Sequence, residues 1–207
     1  GDRPPSPTRR LPICGAVRCD DGRARWLDGI RRSSSQPRFG ARVRLVIDPV
    51  TVQVLRNKVA SVVEEMHYHF YRSGYSTIIR ESRDFSCVIL DRTGGLITAP
   101  PMFFHAPVYK HLVGRVLVLY GESGLAQGDV LVCNHPYEGG LPHVSDMAFV
   151  APVFADGALI GFAGSIAHKS DIGGTNPGST SANSTEIFQE GLLLPPLLIV
   201  RSGSADP

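Results

Sequence analysis

Three of the seven histidines and three aspartates, Asp146, Asp156 and Asp171, fall between Asn134 and Asp171, in a stretch poor in other charge. The segment reads NHPYEGGLPHVSD, then a long apolar run, then HKSDIGG. His143 and Asp146 are three residues apart in PHVSD, a spacing from which a turn can aim both side chains at one ion. His168 closes the apolar run, which doubles back around Ala155-Asp156-Gly157. A hairpin there would return His168 to the end of the sheet where Asp146 begins. Two imidazoles and a carboxylate make a facial donor set suited to Zn²⁺, Mn²⁺ or Fe²⁺, with positions left for water or substrate. His135 and Asp171 flank the set, either as partners that orient the ligands or as ligands of a second ion. Spacing alone leaves a metal centre and structural histidines both open.

Other chemistries find less support. GGTNPGST resembles a phosphate loop but lacks the GK[ST] ending, and no GxGxxG follows a strand. No GxSxG elbow is present. Asp84, between Arg83 and Phe85, is either a surface ion-pair carboxylate or a ligand. His105 lies ahead of a helix and is either a ligand or a structural residue. His67 and His69 point to different faces of one helix, cannot chelate one ion together, and are expected to be structural.

These residues need a frame. Asp48-Pro49 is a helix start, with Asp as N-cap and Pro at the first helical position. Leu55, Val59, Val62, Met66 and Phe70 then recur at steps of three and four, which predicts a helix to about Arg72, ended by Ser73-Gly74. CVILDRTGGLITA predicts a hairpin, Cys87 to Leu90 and Leu96 to Ala99. A second helix is expected from Pro107 to about Tyr120, with its period set by Val108, His111, Leu112, Arg115, Val116 and Leu119. A strand over Asp129 to Cys133 follows, then a hairpin of Met147 to Phe154 and Ala158 to Ala167. The near-continuous apolar character of that hairpin predicts strands buried on both faces. DIGGTNPGSTSANST is a long polar loop, a class that is usually functional. A short helix over Thr185 to Gly191 and an extended LLLPPLLIV complete the pattern. The fold class is α/β, with α+β open: a mixed sheet with flanking helices, expected to be incomplete.

The 207 residues are 43% hydrophobic and 19% charged, as in a globular domain, and the net charge of +2 favours no particular partner. Eleven arginines fall within the first 44 residues. With the prolines and serines around them, they make residues 1–47 a basic, disordered tail ahead of an ordered domain over 48–207. A disordered arm is preferred there to a nucleic-acid-binding one. No apolar run is long enough to span a membrane, and no signal-peptide core is visible. Cys14, Cys19, Cys87 and Cys133 form neither CxxC pairs nor a dense framework, which fits free thiols in a reducing cytoplasm.

Six segments, in order, carry a resemblance: DPVTVQVLRNKV, RDFSCVILD, GDVLVCNHPYEGG, HVSD, SIAHKSDIGGTNPGS and STEIFQEGL. They resemble the hydantoinase B/oxoprolinase family over about Asp48 to Val200. Subunits of that family are several times longer, so the chain resembles an N-terminal piece. The resemblance implies a divalent-metal site at His143, Asp146 and His168, with Asp84 and His105 as further ligands. Many members have Asp where this chain has His135, and the GGLPHVSD segment carries one extra residue, so the second-metal site departs from the family pattern. The implied chemistry is metal-dependent, ATP-coupled opening of a cyclic amide such as a hydantoin or 5-oxoproline. ATP would be handled by a hydantoinase A-like partner subunit. The same resemblance admits an alpha-type subunit of a ketone carboxylase, and the short chain admits a catalytically inactive assembly module.

Overall fold

A computed structural model describes residues 48–99, 105–178 and 181–205. The expectations for the basic tail, for Cys14 and Cys19, and for the Pro100–Phe104 lead-in lie outside the described residues.

Helix α1 spans Pro49–Ser73, and Asp48 caps it by accepting a hydrogen bond from the Thr51 amide at 3.2 Å. A π-type turn follows at Ile78–Ser82, ending at Arg83 in a left-handed conformation (φ 53°). Strands β1 (Phe85–Asp91) and β2 (Leu96–Thr98) form the first hairpin, and α2 runs over Ala106–Tyr120. Then come β3 (Val130–Cys133), a one-turn α3 (Pro136–Gly139), β4 (Asp146–Ala155) and β5 (Ala158–His168). The predicted last helix is a short 3₁₀ turn, Ile187–Glu190, followed by β6 (Leu197–Arg201) and β7 (Ser204–Ala205).

The seven strands make one sheet in the order β2-β1-β5-β4-β3-β6-β7, and each pairing is antiparallel. The sheet with flanking helices expected from the sequence is present in its α+β form. The sheet expected to be mixed is antiparallel throughout, because its strands are joined by hairpins and returning loops rather than by parallel crossovers. Its centre is the β4–β5 hairpin. Asp156 and Gly157 both take positive φ, 49° and 78°, the conformation a two-residue turn needs to match the twist of the strands it joins.

Helix α2 lies on one face of this sheet. Val108, Tyr109, Leu112, Val113 and Val116 pack there against Val88 and Leu90 of β1, Val150 of β4, and Phe162 and Ile166 of β5. The buried stripe of α2 thus includes Tyr109 and Val113; Leu119, counted in its period, is exposed, as is His111, for which packed and exposed were both open. The opposite face carries a smaller cluster. Phe85, Cys87 and Ala167 meet Ile79 and the end of α1 through Met66, Phe70 and Tyr71. Leu55 and Val62, expected on the buried stripe of α1, are exposed, and Val63 is buried instead.

Strand β4 corrects the expectation of burial on both faces. Its residues alternate between buried and half-buried from Asp146 to Val153. An antiparallel strand covered well on one side only produces that alternation. Among the described residues no helix is long and apolar enough to cross a membrane.

Candidate metal centre

The β4–β5 ladder runs from the tight turn to its open end, where Asp146 and His168 are cross-strand partners. Directly opposed residues share a face of the sheet. Here that brings His168 Nδ1 to 3.2 Å from Asp146 Oδ1. His143 arrives from the turn before β4, which is closed by the Asp146 amide donating to the His143 carbonyl at 3.3 Å. The turn sets His143 Nε2 3.3 Å from Asp146 Oδ2. The ligand atoms of His143, Asp146 and His168 all lie within 4.8 Å of one another.

Two groups from other elements join them. His105, the N-cap position of α2, brings Nε2 to 3.5 Å from Asp146 Oδ2. Asp84 precedes β1, and its backbone carbonyl accepts from the His168 amide at 3.1 Å, which extends the β1–β5 ladder by one step. Its side-chain Oδ2 lies 3.8 Å from His168 Nδ1. Asp84 and His105, left open by spacing alone, thus both face the cluster.

Burial makes this cluster unusual. Asp146 is 2% exposed and His105 3%, whereas the His143 side chain is 43% exposed. The site is closed on the protein side and opens past His143. Burial pushes the Asp146 carboxyl up, but the hydrogen bond from His105 and the charges of His143, His105 and His168 outweigh it and hold the group below its ordinary 3.8. A buried carboxylate requires a positive partner. Three imidazoles can meet that need by carrying protons, or by giving them up and holding one cation between them. The second arrangement uses a nitrogen-and-oxygen donor set that fits Zn²⁺, Mn²⁺ or Fe²⁺.

His135 and Asp171 are engaged elsewhere. His135 caps α3, its Nδ1 accepting from the Glu138 amide at 3.3 Å. Asp171 organises the following loop by accepting from the Gly173 and Gly178 amides at 2.8 and 3.1 Å. The reason is local: both residues sit where free backbone amides demand an acceptor. His67 stacks on Phe85 with ring centroids 4.3 Å apart, and His69 pairs with Glu65 at 3.6 Å on the surface, so both are structural as expected. A cleft of about 340 Å³ beside His168 is lined by Phe70, Ser73, Ser76, Ile79 and Asp171, among others.

Three polar residues escaped the sequence reading. Asn134 is fully buried; its Nδ2 donates to the Val144 and Leu192 carbonyls at 2.9 and 2.7 Å, and its Oδ1 accepts from the Leu194 amide at 2.6 Å. It ties the loop carrying His143 to the segment before β6. Ser86 and Tyr109 stand behind His105: Ser86 Oγ is 3.3 Å from His105 Nδ1 and 2.9 Å from the Tyr109 hydroxyl. A serine in an apolar strand next to Asp84 was the available signal for the first of these. Tyr109 gave none, because its role depends on how α2 is turned against the sheet.

Comparison with known proteins bears on the family and the fold. The family model described as hydantoinase B/oxoprolinase matches residues 48–207. The chain is 35% identical over 159 residues to 5-oxoprolinase 1 of Arabidopsis thaliana, covering 76% of this chain and 12% of that one. It is 37% identical over 152 residues to a putative D-/L-hydantoinase B-type subunit of a Pseudomonas species, covering 70% of this chain and 25% of that one. The chain therefore spans about an eighth to a quarter of these curated relatives. Among solved structures, the ATP-dependent caprolactamase from Pseudomonas jessenii matches with a TM-score of 0.62 at 26% identity, over 77% of this chain and 28% of that one. Nucleotide-free acetone carboxylase matches with a TM-score of 0.68 at 18% identity, over 77% of this chain and 21% of that one, a likeness of fold alone.

Proposed function

This chain belongs to the hydantoinase B/oxoprolinase family, and on that premise we propose that it is the metal-holding part of an ATP-coupled enzyme that opens a cyclic amide, a hydantoin or 5-oxoproline ring. The observation that carries the proposal is the convergence of His143, Asp146 and His168 within 4.8 Å around one buried carboxylate. His143 Nε2, His168 Nδ1 and an oxygen of Asp146 would hold the ion, with His105 and Asp84 completing or tuning the set. When bound, the ion would supply Lewis acidity, polarising a substrate carbonyl or acidifying a water.

The chain's own residues prepare the site. Asp146 concentrates negative charge where a cation is to sit, and burial keeps that charge unscreened. The exposed edge of His143 leaves an approach for substrate. Two relatives support a cyclic-amide substrate by their names, a 5-oxoprolinase and a hydantoinase component, as does the caprolactamase. The Pseudomonas relative is named as one component of a multi-subunit enzyme, which supports a partner; we assign that partner as a hydantoinase A-like subunit that handles ATP. Ketone carboxylation draws on the acetone carboxylase likeness, which is one of fold.

The test is elemental analysis of the purified chain and of His143→Ala and His168→Ala. Near-stoichiometric Zn, Mn or Fe in the wild type, lost in both variants, is the expected result. Ring-opening assays with ATP and a partner subunit, on hydantoin, 5-oxoproline and acetone, then separate the hydrolase from the carboxylase. A metal-free wild type that gains no ion on incubation would leave the assembly-module reading in front.

A further inference from the structure

Behind the candidate ligands, away from solvent, runs a line of polar atoms: Asp146 Oδ2, His105 Nε2, His105 Nδ1, Ser86 Oγ and the Tyr109 hydroxyl. The separations are 3.5 Å from carboxylate to imidazole, 3.3 Å from imidazole to serine, and 2.9 Å from serine to tyrosine. The tyrosine hydroxyl also lies 3.4 Å from the Ser86 carbonyl oxygen. Ser86 is 1% exposed and Tyr109 is fully buried. Each hydroxyl in this line can donate or accept, whereas the imidazole must do one at each nitrogen.

We propose that Ser86 and Tyr109 are positioning residues that form a reversible hydrogen-bond relay, setting the tautomer of His105 and reversing it when a cation enters the cluster. The inference rests on the metal reading of the site given above.

The direction of each bond follows from the chemistry at Nε2. Without a cation, Nε2 faces the Asp146 carboxylate, which accepts only, so Nε2 carries the hydrogen. Nδ1 is then an acceptor, the Ser86 hydroxyl donates to it, and the Tyr109 hydroxyl donates to Ser86 Oγ. An imidazole nitrogen that holds a cation must offer its lone pair, so the hydrogen moves to Nδ1 by exchange with solvent and the ring's proton count is unchanged. Nδ1–H now donates to Ser86 Oγ, the serine hydroxyl turns to Tyr109, and the tyrosine hydroxyl turns to the Ser86 carbonyl. All three donors reverse, and each retains a partner. An alanine at position 86 would satisfy neither arrangement.

The test is long-range ¹H–¹⁵N NMR of the full chain labelled at histidine nitrogens, with His105 assigned by loss of its signals in His105→Gln. The spectra are taken with chelator and then with Zn²⁺, and zinc affinity is measured by competition with a chromogenic chelator. The expected result is Nε2–H in the metal-free wild type and Nδ1–H in the zinc-loaded one. Ser86→Ala should bind zinc about 10- to 100-fold more weakly, the usual effect of removing a ligand's orienting partner, and should show mixed tautomers. Tyr109→Phe keeps the buried ring and should show a smaller loss in the same direction, so the relay can be judged even if Ser86→Ala folds poorly. A wild type that binds zinc while His105 keeps Nε2–H overturns the relay alone. Zinc affinity and tautomers unchanged in both variants overturn it as well. A wild type that binds no zinc overturns the metal reading and the switch together.

Discussion

At the scale of single residues, Asp146 is the hub, because three imidazoles are oriented toward one carboxylate that is almost wholly out of water. Its carboxyl is held below the ordinary 3.8 in the folded chain. A folded value below the unfolded one means that the ionised group contributes stability above about pH 4, and that this contribution is lost as pH falls through the folded value. In chelator, the unfolding free energy from urea titrations at stepped pH should therefore fall more steeply on the acid side in wild type than in Asp146→Asn. Equal acid slopes would remove Asp146 as the source. At neutral pH the asparagine variant should be less stable by about 1–3 kcal/mol, since a buried hydrogen-bonding set loses its charged acceptor. Of this cluster, the sequence made His143 and Asp146 legible because their spacing is short, and His168 because the Asp-Gly turn announced the hairpin that returns it. His105 and Asp84 come from separate elements, so spacing could not place them. His135 shows the converse: it lies in the same histidine-rich stretch, yet its ring is committed to the free amide at the start of α3.

At the scale of elements, the site depends on two joints that the hydrophobic pattern does not reveal. Asn134 joins the end of β3 to the loop before β4 and to the segment before β6 through three side-chain hydrogen bonds. Asn134→Ala would leave the buried Val144 carbonyl and the part-buried Leu192 carbonyl and Leu194 amide without those partners, at about 1–3 kcal/mol for a buried group left unsatisfied and less where water can reach. Urea unfolding should show a large loss of stability, accompanied by weaker metal binding because the loop carrying His143 is released. Wild-type metal affinity in a destabilised but folded variant would show that the loop holds its shape without Asn134. The second joint is Gly164 of β5, where an added Cβ would lie 2.7 Å from Tyr109 Cε1 and 3.1 Å from Val88 Cγ2. Gly164→Ala should destabilise by about 1–3 kcal/mol through overpacking, and it should disturb Tyr109, the end of the line behind His105. The sequence marked α2 as a helix and placed Val108, Leu112 and Val116 on its stripe, but counted Leu119 there and missed Tyr109 and Val113, since a stripe of period 3.6 is broad enough to be drawn two ways. Packing resolves it: the glycine on β5 makes room for an aromatic ring, and Tyr109 occupies that room.

At the scale of the whole molecule, the candidate ligands tie together parts of the chain that are distant in sequence. Asp84 leads into β1, His105 starts α2, and Asp146 and His168 close the open end of the β4–β5 hairpin. An ion held there would cross-link the edge of the main core where strand hydrogen bonding runs out. Anything that binds the folded state alone stabilises it by mass action, about 2.7 kcal/mol at a free concentration of 100 Kd. For a domain of this size that is a rise in melting temperature of roughly 5–10 °C. The rise should follow the logarithm of Zn²⁺ concentration, reverse with chelator, and vanish in His143→Ala. The effect should also be uneven. The first half of α1 exposes Val50, Val54 and Leu55 and lies outside both packed clusters. Its amphipathic stripe made it legible as a helix but could not say what the stripe packs against. Hydrogen exchange with and without Zn²⁺ should therefore slow at the open ends of β4 and β5 and at the start of α2, with residues 49–60 unchanged. Equal protection over all these segments would mean that the ion stabilises the chain globally rather than by clamping this edge. Protection at α1 alone would move the binding site away from Asp146.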